Sequence, residues 1–362
     1  MRTDDFDYEL PKHLIAQHPI EPRDSARLLV LHRQSGQIDH RTFAELGEYI
    51  VKPDCLVVNE TRVLPARLRA SRAESGGAVE VLLLRERWSG AWEALVKPGR
   101  RVNPGEKLVF AGGQVTGGET ASEVTARVVE RIEGGGRLVQ FSEGVDVVAL
   151  AHRVGEVPLP PYISEPIDDP ERYQTVFARS ERSAAAPTAG LHFTEGLLGR
   201  LDQAGVALAR IELDIGLDTF RPVTEETVED HPIHKERFTV SETAAHLMTQ
   251  SKERGGRIVC VGTTSVRAVE TAAGQAGGGA AGATPTDQAV IRPSHGQTDL
   301  FIYPGYRFKA TDAMVTNFHL PRTTLLMLVC AFAGRDLIMG AYQEAVKERY
   351  RFFSFGDAML IL

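Results

Sequence analysis

The chain has 362 residues, of which 43% are hydrophobic and 25% are charged, a composition typical of a globular protein long enough for two domains. No apolar run approaches the roughly 20 residues needed to span a membrane, and the acidic segment Met1 to Leu10 lacks the apolar core of a secretory signal. The three dispersed cysteines, Cys55, Cys260 and Cys330, indicate buried thiols rather than a disulfide framework or a zinc site. We therefore expect a cytoplasmic protein that does not associate with membranes.

The net charge of −7 argues against general coating of nucleic acid, but RNA recognition depends on local basic surfaces. Two segments have a local excess of cations. Thr61 to Arg72 contains four arginines and no acidic residue, and Lys97 to Lys107 contains four cations and one glutamate. Either segment is also compatible with the solvated face of a strand.

The first 65 residues predict a strand at Arg27 to Leu31, a short helix at Phe43 to Ile50 and a buried strand at Cys55 to Val58. Polar residues follow the last of these strands, at Asn59 to Arg62. Ligand groups tend to lie at such positions in α/β sheets.

Residues 66–154 have a different pattern, in which short β-rich segments are separated by glycine-containing breaks. The predicted strands are Ala66–Ala70, Ala78–Leu84, Trp92–Val96, Lys107–Phe110, Glu123–Ile132 and Leu138–Phe141. Many short strands with frequent turns favour a closed antiparallel barrel or a sandwich. Because α/β patterns lie on both sides of this block, we interpret it as an inserted β-barrel domain.

After the stiff connector Pro158 to Pro161, predicted helices and strands alternate to the end of the chain. The helices are Leu197–Ala204, Ser241–Arg254, Ser265–Ala273, Thr323–Ala333 and Ala341–Arg349, and the strands are Val206–Ile215, Arg257–Val261 and Met314–Phe318. The Gly/Ala-rich segment Ala272 to Ala283 is predicted to be a mobile loop. The fold class is thus α/β and multidomain: a layered α/β/α domain of residues 1–65 and 155–362 with an antiparallel β-barrel domain of residues 66–154 inserted.

The stretch Ala184 to Phe193 combines small residues with Pro187, Gly190 and His192. Glycine permits a φ that other residues resist, and Thr194 is placed as the N-cap of the helix that follows. The pattern predicts a tight loop that leads into a helix N-terminus and has an imidazole as its one strongly polar group. Taken alone, it favours an ordinary strand-to-helix connection with a hydrogen-bonded histidine.

Two further loops have the same arrangement. Within Arg257 to Arg267 a buried strand is followed by Gly-Thr-Thr-Ser, whose N–H groups and hydroxyls suit a carboxylate or a phosphate at a helix start. Arg267 opposes the helix macrodipole, so it needs either a ligand carboxylate or an internal Asp or Glu as partner. Within Thr316 to Pro321, Asn and His follow a strand, and a helix begins near Thr323. Because loops at strand ends gather at one edge of a sheet, the three loops predict a binding pocket.

His231 and His234 are the one pair that suggests a metal, but Pro232 disfavours their display on a helix and no third ligand is adjacent, so we expect no metal site. The sequence also lacks the G-x-x-x-x-G-K-[ST], G-x-S-x-G and strand-linked G-x-G-x-x-G motifs. P-loop enzymes, α/β-hydrolases and Rossmann-type dinucleotide binders are therefore disfavoured.

Together the motifs resemble those of the S-adenosylmethionine:tRNA ribosyltransferase-isomerases of queuosine biosynthesis (the QueA family), in family order across nearly the whole chain. The matching stretches are Thr61-Arg-Val-Leu-Pro-Ala-Arg67, Leu159-Pro-Pro-Tyr-Ile163, Tyr173-Gln-Thr-Val-Phe177, Ala185-Ala-Pro-Thr-Ala-Gly-Leu-His-Phe193, Glu229-Asp-His231, Val261-Gly-Thr-Thr-Ser-Val-Arg267, Phe301-Ile-Tyr-Pro-Gly305, Thr316-Asn-Phe-His-Leu-Pro321 and Tyr350-Arg-Phe-Phe-Ser-Phe-Gly-Asp-Ala-Met359.

The resemblance implies that the ribosyl group of S-adenosylmethionine (AdoMet) is transferred to 7-aminomethyl-7-deazaguanine at the tRNA wobble position and isomerised. Epoxyqueuosine-tRNA forms, and adenine and methionine are released. AdoMet is then a consumed substrate rather than a cofactor, and tRNA carrying the precursor base is the partner of a chain that we expect to be a monomer. The resemblance also implies a β-barrel domain inserted in an α/β domain.

This chemistry needs particular side chains. The sulfonium acidifies the adjacent ribose methylene, so a base is required, and an acid helps adenine to leave. Imidazole suits either role near neutral pH. We assign His192 to one role and His319 to the other or to binding, with Asp214 as a third catalytic candidate. The residues expected to bind AdoMet are Pro187, Thr188, Ala189, Gly190, Phe193, Gly262, Thr263, Thr264, Ser265, Arg267 and Asn317. The residues expected to bind tRNA are Arg62, Arg67, Arg69 and Arg72.

The chain departs from the family pattern where His-Val-Gly-x-Gly-Thr-Phe is common, because it reads Asp214-Ile-Gly-Leu-Asp218-Thr-Phe220. A carboxylate has a reference pKa of ~3.9 against ~6.5 for imidazole, so Asp214 can act as a base but as an acid only if its pKa is raised. Asp218 constrains a turn, and Glu60 stands where the family often has Asn. These departures motivate a second hypothesis, a tRNA-binding relative with lost or altered catalysis. A third, an AdoMet methyltransferase, is disfavoured by the missing Gly-rich strand-loop motif.

Overall fold

A computed structural model describes residues 1–111, 123–216, 222–276 and 291–362. The chain divides into two compact units. The first unit contains Met1–Thr61, Pro160–Ser180 and Ala186–Leu362, and the second contains Arg62–Leu159 and Glu181–Ala185. Among the described residues no single helix is long and apolar enough to cross a membrane, although one bent pair, Thr324–Ala333 with Arg335–Lys347, passes that test by length and composition.

The strands of the described residues are β1 (Arg27–Leu31), β2 (Ile38–Thr42), β3 (Cys55–Asn59), β4 (Thr61–Val63), β5 (Arg67–Arg72), β6 (Ala78–Trp88), β7 (Ala91–Lys97), β8 (Lys107–Phe110), β9 (Val124–Arg131), β10 (Arg137–Phe141), β11 (Ser180–Ser183), β12 (Ala207–Leu213), β13 (Glu236–Val240), β14 (Ile258–Val261), β15 (Ser294–Thr298), β16 (Ala313–Asn317) and β17 (Ala358–Ile361). The α-helices are α1 (Val147–Val154), α2 (Glu195–Gln203), α3 (Glu242–Glu253), α4 (Gly262–Ala276), α5 (Thr324–Ala333) and α6 (Arg335–Lys347).

In the described part of the first unit, nine strands form one sheet in the order β15-β13-β12-β3-β14-β16-β17-β1-β2. Neighbours from β12 to β16 are parallel, so the carboxyl ends of β12, β14 and β16 lie at the same edge. Every residue of β3, β14 and β16 is buried, as expected for central strands with both faces covered. Val58, Val259 and Val315 belong to the core that covers one face together with Phe193 and Leu197.

In the described part of the second unit, six strands close into an antiparallel barrel in the order β10-β7-β6-β5-β8-β9. Side chains alternate between the interior and the outer face, as the two-residue period of a strand requires. On β8 and β10, Phe110 and Phe141 point inward and their ring centroids lie 5.2 Å apart. Leu108 and Val128 are also fully buried, so apolar side chains fill the interior.

The predicted fold class is confirmed, since the chain contains a large layered α/β sheet and a closed antiparallel barrel. Buried strands were placed correctly: β1 and β8 have the predicted bounds, and β3 is one residue longer than predicted.

The short helix predicted at Phe43–Ile50 is a 3-10 helix at Phe43–Glu48. Two predictions of local structure were wrong. Helix α6 begins at Arg335 rather than Ala341. Helix α4 continues to Ala276, so the predicted mobile loop at Ala272 to Ala283 begins within a helix. The rest of that segment, from residue 277, lies outside the described residues. The edge strands β2 and β15, their neighbour strand β13 beside β15, and helix α1 were not predicted.

Candidate active site

The three predicted loops meet at one pocket in the first unit, at the carboxyl edge of the parallel strands. The pocket holds about 340 Å³ of empty space, part of it open to solvent. Its lining residues are Ala186, Pro187, Thr188, Ala189, Ile215, Gly262, Thr263, Thr264, Thr316, Asn317, His319 and Leu325. The segments after β12, β14 and β16 converge here because these strands are parallel in the order β12, β3, β14 and β16. The loop from Ala184 to Phe193 follows β11, which pairs with β4 in a separate two-stranded sheet.

One wall of the pocket is the N-terminus of α4. Gly262 has a φ of 82°, a conformation that favours glycine, and it turns the chain from β14 into the helix. The first N–H groups of a helix have no partner within it, and they carry partial positive charge. Thr264 is buried, yet its hydroxyl has no hydrogen-bond partner in the part of the chain that the structure describes. This wall is therefore suited to an anionic group.

Asn317, at the end of β16, is fixed from three sides. Its Nδ2 donates to Nε2 of His192 at 3.1 Å and to the carbonyl oxygen of Phe353 at 3.1 Å. Its Oδ1 accepts from the hydroxyl of Thr188 at 3.3 Å. The amide faces the pocket with its orientation set by these partners, and Thr188 lines the pocket beside it.

His192 does not line the pocket but lies behind Asn317. It is 4% exposed, and its ring packs against Phe43 with centroids 5.1 Å apart. Burial, with smaller contributions from the cations Arg351 and Arg23, lowers the pKa of His192 to about 3. A neutral imidazole that accepts a hydrogen bond at Nε2 holds its proton on Nδ1. His192 is therefore placed to orient Asn317.

His319 does line the pocket, and its Nε2 lies 2.7 Å from the hydroxyl of Thr316. Burial lowers the pKa of His319 to about 3, so the ring is neutral near pH 7. Its backbone is held at both ends: its N–H donates to the Tyr342 hydroxyl at 2.9 Å, and its carbonyl accepts from Tyr8 at 2.5 Å. These contacts fix the imidazole at the pocket wall.

Asp214 directly follows β12, and the next residue, Ile215, lines the pocket. The backbone N–H of Asp214 donates to the carbonyl of Arg237 at 2.9 Å. Asp214 thus stands at the same sheet edge as the other loops. Asp218 lies outside the described residues.

Four of the residues expected to bind AdoMet are not in the pocket lining. Phe193 is fully buried in the core against Phe43. The hydroxyl of Ser265 donates to the carbonyl of Val261 at 2.7 Å. Arg267 pairs with Glu236 and donates to the carbonyl of Leu300, so an internal carboxylate is its partner, the second of the two alternatives.

Gly190, the fourth, does not use the unusual φ that glycine permits. It lies in the 3-10 helix Thr188–His192, outside the left-handed region. Close packing explains a glycine at this position, because a Cβ there would lie 2.6 Å from Cζ of Phe177 and 2.8 Å from Cγ2 of Thr175. Thr194 is the N-cap of α2 as predicted, since its side chain accepts from the N–H of Leu197.

The arginines expected to bind tRNA belong to the second unit, and each lies near a carboxylate there. Arg69 donates twice to Glu156, at 3.1 and 2.8 Å, and Arg72 donates twice to Glu106, at 2.9 and 3.0 Å. The other two contacts are longer: Arg62 lies 3.4 Å from Glu181 and Arg67 lies 4.0 Å from Glu80. The charge of this cluster is largely compensated within the unit.

No three His, Cys, Asp or Glu side chains among the described residues are grouped as metal ligands would be. His231 contacts Glu225, with Nδ1 2.8 Å from Oε2.

Sequence reasoning missed Thr316, Ile215, Leu325 and Ala186, which also line the pocket. Thr316, Ile215 and Ala186 adjoin predicted site residues, so the strand-end argument extends naturally to them. Leu325 lies in the first turn of an apolar helix, and no local signal separates it from its core neighbours.

The fold and the pocket together define an α/β protein with an inserted β-barrel and a small polar site at a helix N-terminus, suited to a substrate with an anionic end. The chain belongs to the family of queuosine biosynthesis proteins, whose sequence model matches residues 3–361.

Similar proteins cover the chain from end to end. The chain is 56% identical over 363 residues to the S-adenosylmethionine:tRNA ribosyltransferase-isomerase of Symbiobacterium thermophilum, covering 100% of both sequences. It is 53% identical over 364 residues to the protein of the same name from Moorella thermoacetica, again with 100% coverage of both. Among solved structures, the S-adenosylmethionine tRNA ribosyltransferase of Thermotoga maritima is 40% identical, with a TM-score of 0.54, and the match covers 99% of this chain and 100% of that one.

Proposed function

We propose that this chain is an S-adenosylmethionine:tRNA ribosyltransferase-isomerase. It transfers the ribosyl moiety of AdoMet to 7-aminomethyl-7-deazaguanine at the tRNA wobble position and isomerises it, giving epoxyqueuosine-tRNA, adenine and methionine. The observation that carries the proposal is the full-length match to relatives of that name, at 56% identity for one of them. AdoMet is consumed as a substrate, and the chain acts as a cytoplasmic monomer without a resident cofactor.

The N-terminus of α4 holds the methionine carboxylate of AdoMet in this proposal. The free N–H groups of its first turn and the unpartnered hydroxyl of Thr264 supply donors, and the helix dipole favours the negative charge. Gly262 lets the backbone approach the ligand closely. Arg267 contributes indirectly, because its ion pair with Glu236 anchors the first turn of the helix.

The reaction begins with removal of a proton from the ribose methylene next to the sulfonium. His319 is the pocket imidazole, and because burial keeps it neutral it does not repel the sulfonium cation and has one unprotonated ring nitrogen to accept the proton. Asp214 is the second candidate base, placed at the same sheet edge. Asn317 supplies a fixed amide for binding the substrate.

His192 has a different role from the one expected for an acid or a base. Because it lies behind Asn317 and outside the pocket lining, it acts as a positioning residue that accepts the Asn317 amide hydrogen. His192 then affects the reaction rate through the orientation that it gives the Asn317 side chain.

Product analysis tests the proposal directly. Purified protein is incubated with AdoMet and tRNA that carries the precursor base, and the small-molecule products are separated by chromatography. Free adenine supports ribosyl transfer. S-adenosylhomocysteine would indicate methyl transfer instead, and tRNA binding without any product would indicate a relative that has lost catalysis.

A further inference from the structure

A cross-strand row on the barrel of the second unit combines cations with an exposed aromatic ring. Lys107 on β8 lies opposite Arg127 on β9, and Arg127 lies opposite Gln140 on β10. Gln140 lies opposite Ala91 on β7, and Ala91 lies opposite Trp88 on β6. Directly opposite residues share a face of the sheet, and Lys107, Arg127 and Trp88 are exposed, so this Trp88 row lies on the outer face of the barrel.

The two cations at one end of the row have no counter-charge among the described residues. Like charges directly opposite each other in an antiparallel pair are destabilising, because their Cβ atoms are about 5 Å apart. No salt bridge joins Lys107 or Arg127 to a carboxylate among the described residues. By contrast, Arg69 and Arg72 on β5 each donate two hydrogen bonds to a glutamate carboxylate. An external anion would relieve this repulsion.

Trp88 at the other end is 56% exposed, the highest value among the large apolar side chains of the described residues. Its indole N–H donates to Oε1 of Gln140 at 3.2 Å. Ala91 lies between the two residues in the row and is fully buried, so the ring lies across it. The indole is thereby held beside Gln140, which lies opposite Arg127.

Two carboxylates lie near the row. Glu86 accepts a hydrogen bond from the N–H of Gly90 at 2.9 Å. Glu130 lies opposite Leu138, away from the Lys107–Arg127 pair, and forms no salt bridge among the residues that the structure describes. Neither neutralises the Lys107–Arg127 pair.

We propose that the Trp88 row is an RNA-binding surface, in which Lys107 and Arg127 contact phosphates and Trp88 stacks on an unpaired base. Phosphate contacts and base stacking are the two terms of single-stranded RNA recognition, and the row supplies both on the outer surface of the barrel. The inference deepens the proposed function, because it rests on tRNA as the substrate. It assigns the RNA contact to the Trp88 row rather than to the Arg62–Arg72 cluster.

The experiment measures tRNA affinity of the full chain by fluorescence anisotropy over a range of salt concentrations. In the Lys107→Ala/Arg127→Ala double variant, the fall of log K with log salt should be less steep by about 1.4 to 1.8 in slope. Each phosphate contact contributes ~0.7 to ~0.9 to the steepness. Trp88→Ala should weaken binding by about 5- to 100-fold without changing the slope. Arg69→Ala, whose side chain is 82% exposed but bound to Glu156, and Glu130→Gln are the matched controls and should leave the affinity within about twofold.

All four variants change only surface side chains, so each should retain the wild-type melting temperature. The chain has two tryptophans, and Trp92 is buried, so tRNA should also protect wild-type fluorescence from acrylamide quenching through Trp88. Unchanged slope and affinity in the double variant and in Trp88→Ala would overturn the proposal. So would equal losses for heparin and tRNA in Trp88→Ala, since heparin has no bases to stack.

Adenine release by the same preparations separates this inference from the proposed function. Wild-type turnover together with unaffected tRNA binding in both variants overturns the RNA surface and leaves the function standing. Absence of both tRNA binding and turnover in the wild-type protein overturns both.

Discussion

At the scale of single residues, the Thr264 hydroxyl indicates a ligand-binding role most clearly, because it is buried and has no partner among the described residues. A buried hydroxyl without a hydrogen bond costs free energy, and a ligand that accepts its hydrogen bond offsets that cost. Thr264 also sits at the helix end where the AdoMet carboxylate is placed.

Thr264→Val should therefore weaken AdoMet binding by about 10- to 150-fold, from the loss of about 1.5–3 kcal/mol for a hydrogen bond to a charged group. The same change should leave the melting temperature unchanged or higher, because it removes an unsatisfied polar group. Isothermal titration with AdoMet and thermal denaturation measure the two effects. Thr271→Val serves as a control on the same helix, since its hydroxyl has internal partners and its loss should reduce stability instead. Unaltered AdoMet affinity in Thr264→Val would contradict this placement of the carboxylate.

His192 makes a prediction for the pH dependence of stability. Burial lowers its pKa from 6.5 to about 3 in the folded chain, so between those values the unfolded chain binds a proton that the folded chain does not. The stabilisation from neutral His192 is complete above pH 6.5 and is lost as the pH falls toward 3.

His192→Gln should reduce the slope of unfolding free energy against pH by about 1.4 kcal/mol per pH unit in this window. Urea denaturation at several pH values measures the slope. His319 shares the low pKa and keeps its own contribution in the variant. A variant with the wild-type slope would show that His192 titrates normally.

Sequence reasoning located the three loops but not the direction of each side chain. Thr188, Thr264 and Asn317 reach the pocket, whereas Phe193 and Ser265, in the same loops, point into the core or to the backbone. Which neighbour faces the cavity depends on helix phase and on residues distant in the chain. The carboxylate partners of the arginines were not foreseen for the same reason, because Glu156 and Glu106 are far from Arg69 and Arg72 in sequence.

At the scale of elements, helix α4 carries one pocket wall and is tied to the loop before β16 by Glu270. This buried carboxylate accepts from the N–H groups of Lys309, Ala310 and Thr311, at 2.8, 3.1 and 2.8 Å. It also accepts from the hydroxyls of Thr311 and Tyr306. The contact fixes α4 against the segment that leads to Asn317.

Glu270→Gln should destabilise the chain by about 2–4 kcal/mol. The glutamine side chain has one acceptor oxygen in place of two, and its NH₂ group would face backbone N–H donors. Chemical denaturation measures the loss. Glu253→Gln, on the exposed end of α3, should change stability by less than about 0.5 kcal/mol. Equal stability of the two variants would show that the Glu270 contacts contribute little.

The elements that sequence reasoning found are those with a strong local signal. β3, β14 and β16 are short apolar runs, as fully buried strands are. β15 reads Ser-His-Gly-Gln-Thr and has no such run, and it is a strand because it pairs with β13. Pairing of this kind is a tertiary interaction and leaves no trace in local composition.

At the scale of the whole molecule, family membership and the fold agree with the order of the motifs along the chain. We propose residues 66–154 as a domain inserted between 1–65 and 155–362. The pocket belongs to the first unit and the Trp88 row to the second, so each can be altered without touching the other.

The central claim is that the ribosyl group of AdoMet, and not its methyl group, moves to tRNA. The most direct test uses AdoMet with a radiocarbon label in the ribose and a tritium label in the methyl group, incubated with the protein and tRNA that carries the precursor base. After the tRNA is recovered, we expect radiocarbon in the tRNA and tritium in free methionine. Tritium in the tRNA, or neither label there, would contradict the account.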